Sequence, residues 1–176
     1  MKRSFRFVYK LAEKSHRTLI HDWLAQPYVA EWFYGQGLQN TIRHLDEFLN
    51  GASQAQYWLG FDKDHPFAFF ITSRIAKSHD ELTHWCTGKG DAITLDMLIG
   101  DTAYLGMGLA HQVIHGFLQN QFPLVDEVLI DPEKTNCRAV HAYQKTGFKI
   151  IDEFIPSHSP NPHYMMRLRL QMSADR

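Results

Sequence analysis

The chain has 176 residues, with 18 Lys plus Arg against 19 Asp plus Glu and a formal net charge of -1; one domain, residues 1–176, is expected, because globular domains run to roughly 100–200 residues. A balance this close to neutral argues against a general nucleic-acid binder, and no apolar run reaches the ~18–20 residues of a membrane span. Cys86 and Cys137 are the only cysteines and form no C-x-x-C, which argues against a disulfide framework or a zinc ribbon; alternation, not an apolar stretch, follows residues 1–5, so no secretory signal is expected and the protein reads as cytoplasmic.

Phe5, Phe7 and Tyr9 alternate with Arg6 and Val8, which predicts a first strand with one buried face. Ser15 is the expected N-cap of a helix running to about Ala25, with Leu19, Ile20, Trp23 and Leu24 on its apolar stripe, and Pro27 is expected to end it. Residues 28–37 are aromatic and hold two glycines, which predicts a short helix and then a loop; residues 41–49 are amphipathic and stop at Gly51. Two strands, 57–61 and 67–75, flank turn chemistry at 62–66. Residues 77–91 lack periodicity and read as a loop or weak strand. Residues 92–99 read as a central strand with a single interior acid, Asp96. A loop over 100–105, a helix from Gly106 to about Gln119, a strand over 125–130 and a helix over 135–146 closed by Gly147 follow, then strands over 148–155 and 164–170. The order β-α-α-β-β-β-α-β-α-β-β is mixed α/β, with a β-α-β unit between two antiparallel hairpins.

Charge is unevenly placed: from Asp80 to Glu133 there are nine acids (Asp80, Glu81, Asp91, Asp96, Asp101, Asp126, Glu127, Asp131, Glu133) and one base, Lys89. If these line one cleft, the cleft concentrates cations; the alternative is a set of unrelated solvated charges.

Chemistry concentrates in two segments. In Leu95-Asp96-Met97-Leu98-Ile99-Gly100-Asp101-Thr102-Ala103-Tyr104-Leu105-Gly106-Met107-Gly108-Leu109-Ala110 a strand leads through a loop to paired glycines at a helix start. Free N–H groups and the helix dipole favour an anion there, and a pyrophosphate is a natural occupant. A dinucleotide fingerprint would want a third glycine where His111 stands. The second segment runs Asp131-Pro132-Glu133-Lys134-Thr135-Asn136-Cys137-Arg138-Ala139-Val140-His141-Ala142-Tyr143-Gln144-Lys145-Thr146-Gly147-Phe148. Together, over residues 92–150, the two resemble the signatures of the GNAT acetyltransferases. Within that superfamily, Glu31-Trp32, Asp96, Leu105-Gly106-x-Gly108-Leu109 and Asp131-Pro132 are similar to the aminoglycoside 6′-N-acetyltransferases. Ala103 and Tyr104 stand where many members carry Gln or Arg.

The resemblance implies a splayed, mixed, mostly antiparallel sheet of about six to seven strands flanked by about four helices. It implies direct acetyl transfer from acetyl-coenzyme A to an amine of a small polycationic acceptor, with no metal, by a monomer or homodimer. Strand-edge groups of Met97, Leu98 and Ile99 would pair with the pantetheine amides, a bulge in this strand would aim an oxyanion donor, and Leu105, Gly106, Met107, Gly108, Leu109 and Ala110 would hold the pyrophosphate. Asp96 is the candidate base, because a lone acid in an apolar strand calls for a partner or a function. Tyr143 is the candidate acid, seven residues and two helical turns after Asn136; Asn136 would contact the pantetheine. Glu31, Trp32, Asp80, Glu81, Trp85, Asp96 and Asp131 are candidates for the acceptor site, since ring faces and carboxylates both attract ammoniums. Each also has a plain structural alternative as core, cap or surface. His111 and His115, one turn apart, read as a solvated helix face and not as metal ligands. A GNAT enzyme for another amine or hydroxylamine, or a non-catalytic coenzyme A-binding module, is the competing assignment.

Overall fold

The computed structural model describes residues 4–76 and 81–170; Asp80 lies outside them. Seven strands form one sheet in the order β1-β2-β3-β4-β5-β7-β6: β1 (Phe7–Leu11), β2 (Gln56–Asp62), β3 (His65–Arg74), β4 (Ala92–Ile99), β5 (Glu127–Ile130), β6 (Lys149–Phe154) and β7 (His163–Arg169). Every neighbouring pair is antiparallel except β4 and β5. Among the described residues, five α-helices flank it: α1 (Arg17–Leu24), α2 (Pro27–Ala30), α3 (Gly35–Leu49), α4 (Ala110–Gln121) and α5 (Cys137–Thr146).

Strand alternation sends side chains to two layers. On one face, Phe70, Ile93, Leu95 and Val128 meet Val113, Ile114, Phe117 and Val140 of α4 and α5. Phe70 and Phe117 stack there at 4.3 Å, each fully buried and each contributing about 2–3 kcal/mol of apolar burial. The Tyr9 hydroxyl donates to the Val113 carbonyl at 2.9 Å and ties α4 to the edge strand β1. On the other face, Tyr57, Leu59, Phe69 and Leu98 pack against Ile20, Trp23, Leu24, Val29 and Leu45 of α1–α3.

Several boundaries differ from expectation. Ser15 does not cap α1: a 3-10 turn, Lys14–His16, precedes it, and the Glu13 N–H donates to Nδ1 of His16 at 3.0 Å. Pro27 starts α2 as its first residue, where a missing N–H costs nothing. The helix expected over 41–49 begins earlier, at Gly35, because Leu38 and Ile42 both pack into the α1–α3 core. Helix α4 starts at Ala110, with the glycines in the turn before it. A 3-10 turn over Glu81–Trp85 lies in the segment read as loop or weak strand.

The opening that matters is in the middle of the sheet. β4 pairs with β5 only from Ala92↔Glu127 to Thr94↔Leu129, while its pairing with β3 continues to Ala68↔Ile99. From Leu95 onward the β5-facing edge of β4 is therefore unpaired by strand. The register with β3 is continuous, so β4 carries no bulge on that side. Divergence from β5 exposes the edge groups instead, since alternate residues of a strand turn N–H and C=O to each side.

Candidate active site

A cleft of about 1000 Å³ passes through this opening. Its walls are the ends of β4 and β5, the turn before α4, one face of α5, and the α2–α3 and β6–β7 connections. Asp96 shares the face of Leu98 and so projects toward α1–α3, whereas Tyr143 belongs to the α4–α5 layer. A carboxylate and a phenol thus reach one gap from opposite sides of the sheet.

The turn before α4 has the form of an anion cradle. Gly106 and Gly108 both have φ of 69°, a left-handed conformation that costs other residues about 1–2 kcal/mol. A methyl group built on either glycine meets nothing within 4 Å, so the space over the backbone is open. The first N–H groups of α4, before Val113, have no carbonyl one turn back. This set would suit coenzyme A, with a diphosphate at the glycine turn and first turn of α4 and a pantetheine arm along the open edge of Met97 and Ile99. His111, Arg138, His141 and Lys145 also line the cleft, and Arg138 and Lys145 bring positive charge to it. Asn136 caps α5, its side-chain oxygen accepting from the Ala139 N–H at 3.1 Å.

The other end of the cleft is acidic and aromatic. Glu31, Trp32, Tyr34, Asp96, Asp131 and Glu133 line it. The Asp96 carboxyl is raised to about 7, first by burial and then by the negative charge of Asp131, with His163 opposing. Burial, followed by the charge of Asp96, also raises the Tyr57 hydroxyl to about 12. Tyr143 is pushed above the ordinary phenol range by burial, then by Asp96 and Asp131. Among the described residues no group hydrogen-bonds its hydroxyl.

Two features of this end have no counterpart in the sequence motifs. Tyr34 donates to Glu133 at 2.7 Å, and the Asn161 amide donates to the Tyr34 hydroxyl at 2.8 Å and to Glu133 at 3.1 Å. This network joins the α2–α3, β5–α5 and β6–β7 connections around the cleft mouth. Burial alone would raise Glu133, but hydrogen bonds from Tyr34, Thr135 and Asn161 hold it below its ordinary value. The second feature is His163, 8% exposed, whose Nδ1 lies 2.7 Å from the Asp131 carbonyl. No sequence spacing could have found either, because the partners are 28 to 127 residues apart.

The structure therefore gathers Asp96, Tyr143, Met97, Leu98, Ile99, residues 105–110, Asn136, Glu31, Trp32 and Asp131 on one cleft. It does not bring Glu81 or Trp85 there. Glu81 is exposed, and Trp85 packs on Phe154 and donates to Asp152 at 2.7 Å. The acidic stretch likewise disperses: Asp101 pairs with His65, Asp126 accepts from the Asp91 N–H, and Glu127 is buried at the start of β5. His111 and His115 stack at 4.5 Å, with His115 donating to the Thr146 carbonyl at 2.9 Å. Asp131, His158 and His163 place ligand-type atoms within 4.8 Å of one another, although Nδ1 of His163 is committed to the Asp131 carbonyl. No helix of the described residues is long and apolar enough to cross a membrane.

The chain is similar to known proteins. Residues 13–155 match the family described as Acetyltransferase (GNAT) domain. The chain is 23% identical over 146 residues to the aminoglycoside N(6')-acetyltransferase type 1 of Klebsiella pneumoniae, covering 80% of this chain and 72% of that one. It is 46% identical to the crystal structure of an aminoglycoside N(6')acetyltransferase from Legionella pneumophila, with a TM-score of 0.85 over 96% of this chain and 94% of the other. It shares its fold with AAC(6')-Ib in complex with coenzyme A and kanamycin, at 19% identity and a TM-score of 0.72 over 93% and 95% of the two chains. A splayed seven-stranded sheet, a glycine cradle ahead of α4 and a family match over most of the length lead to one statement: the chain belongs to the GNAT family, the acetyl-coenzyme A-dependent N-acetyltransferases.

Proposed function

We propose that the protein acetylates the 6′-amine of an aminoglycoside, by direct transfer within a ternary complex. The observation that carries this reading is the composition of the cleft. One end is a cradle for a diphosphate, and the other holds Asp96 among Glu31, Trp32, Asp131 and Glu133. A polyhydroxylated cation matches such a wall, because carboxylates pair with ammoniums and an indole face attracts them.

Acetyl-coenzyme A supplies the thioester that is cleaved. The residues of this chain account for the rest. The amine arrives largely protonated and must lose a proton to attack. Asp96, raised to about 7, is matched to that task near neutral pH, directly or through one water. Edge N–H groups of β4 beyond Thr94 are available to the thioester oxygen, where donors aimed at developing charge contribute most. Tyr143 stands on the opposite face of the gap to give its phenolic proton to the departing sulfur. Asp131, at the end of β5, holds another ammonium of the acceptor.

The test is thiol release from acetyl-coenzyme A with a panel of amines. Turnover of a 6′-amino aminoglycoside such as kanamycin, and none of its 6′-hydroxy analogue, is the expected result. Turnover confined to polyamines or hydroxylamines would replace the acceptor. Saturable coenzyme A binding with no turnover on the panel would replace catalysis by a binding role.

A further inference from the structure

His163 opens β7, where it pairs with Phe154 of β6 and bridges to Glu133. Backbone on both sides fixes its place, and its ring borders the acceptor end of the cleft. Nδ1 lies 2.7 Å from the carbonyl oxygen of Asp131 and 3.4 Å from its carboxylate. A carbonyl can only accept, so Nδ1 carries hydrogen in both charge states of the ring. The proton that comes and goes is therefore on Nε2, which is buried and has no hydrogen-bond partner among the described residues.

The ionisable groups that face this ring come from every element around it. Asp96 is on β4, Asp131 and Glu133 are on the β5–α5 connection, Tyr143 is across the cleft on α5, and His158 is on the β6–β7 connection with its ring 5.7 Å away. Asp131 and Glu133 favour an imidazolium here. A cationic acceptor seeks the same carboxylates, and like charges disfavour one another at such a site.

We propose that His163 is a positioning residue of the acceptor site: anchored to Asp131 through Nδ1, it releases its Nε2 proton to solvent when the cationic acceptor binds, leaving Asp131 and Glu133 negative toward the amine. This rests on the acceptor being a cationic amine, as proposed above. No bond to the acceptor is made or broken; the acceptor's charge takes the place of the proton's. The electrostatics agree in direction. Burial by itself lowers His163, but the Asp131 carboxylate and carbonyl and the charge of Glu133 raise it above the ordinary imidazole value. In return the His163 charge lowers Asp96, so an empty cleft stores a proton on His163 that an occupied one does not need.

His163→Asn tests this, because an Asn side-chain N–H replaces the Nδ1 donor to Asp131 and removes the titrating nitrogen. Calorimetry of kanamycin binding in two buffers of different ionisation enthalpy counts protons released. At about pH 6.5 the wild type should release up to about one more proton per kanamycin than the variant. At about pH 9, where imidazole is neutral, the difference should vanish. A second reading needs no variant: the His163 ring resonance in the wild type should titrate at lower pH when kanamycin is saturating. Equal proton counts at the lower pH, or an unmoved ring titration with kanamycin bound, overturn the proposal and leave the acceptor assignment standing. If kanamycin neither binds nor turns over, the acceptor assignment falls and this proposal falls with it.

Discussion

Replacing Asp96 by Asn should weaken catalysis and strengthen the fold at once. The carboxyl sits at about 7 instead of its ordinary 3.8, and at 1.36 kcal/mol per unit its ionised form disfavours the folded state by about 4 kcal/mol at high pH. The sign follows from linkage: the folded protein holds this proton between 3.8 and about 7 while the unfolded chain has lost it, so the wild type loses stability as pH rises through that window. An amide has no such charge, but left unpaired in the same place it costs about 1–3 kcal/mol. The net gain for Asp96→Asn is then about 2 kcal/mol at about pH 8, which raises Tm by about 4–8 °C in a domain of this size. At about pH 4 the charge cost is absent and only the amide's own cost remains, so the variant should be the less stable by about 1–3 kcal/mol. Thermal melts of the two proteins across this range read the stability arm. The kinetic arm is thiol release: kcat/KM of the wild type should climb with pH through about 7 and level off, and the variant should fall about 10²–10⁴-fold and lose that limb. A Tm difference that is the same at both ends of the pH range would refute the buried-charge argument; undiminished turnover would remove Asp96 as the base.

Three further outcomes follow from the cleft and its supports. Gly108→Asp places a charge over the open cradle at a φ of 69°; KM for acetyl-coenzyme A should rise more than about tenfold, while urea denaturation shows a loss of only about 1–2 kcal/mol. Tyr143→Phe should lower kcat by about 100-fold with little change in KM or in melting temperature, read by steady-state kinetics and calorimetry. Gly147→Ala should destabilise by about 1–2 kcal/mol in urea denaturation without altering KM, since Gly147 closes α5 at a φ of 111° and an added Cβ would lie 3.2 Å from Leu168 Cδ1.

The parts legible in the sequence are those whose cause is local. The apolar run over 92–99 marks β4 and makes its one acid stand out, and Gly147 ends α5 where only a left-handed residue could. Features caused by distant packing were not legible. Gly35 and Gly37 argue against a helix by propensity, yet they lie in the first turn of α3 because Leu38, Ile42 and Leu45 bury against the sheet. Pro27 is expected by type to end a helix, yet it opens α2, whose Val29 is buried in the α1–α3 core. In the site, Asp131 was visible beside its proline, but the carbonyl that holds His163 is a backbone atom 32 residues away. Trp85 and Glu81 have the right chemistry for a cationic acceptor and the wrong location, a distinction that no residue type records.

Two strand clusters, β1–β4 and β5–β7, meet through a ladder that stops after Thr94 and Leu129. Were β5 a few residues longer and zipped to the tip of β4, the same chain would have a continuous sheet, a better-protected backbone and no place for an acyl donor. If the acyl donor lies there, as proposed, activity depends on an early stop in hydrogen bonding, and the donor is a wedge gripped by both halves. The molecule should be stiffer when loaded than when empty, with the slowing of amide exchange concentrated along Leu95–Ile99 and not spread over the distant edges.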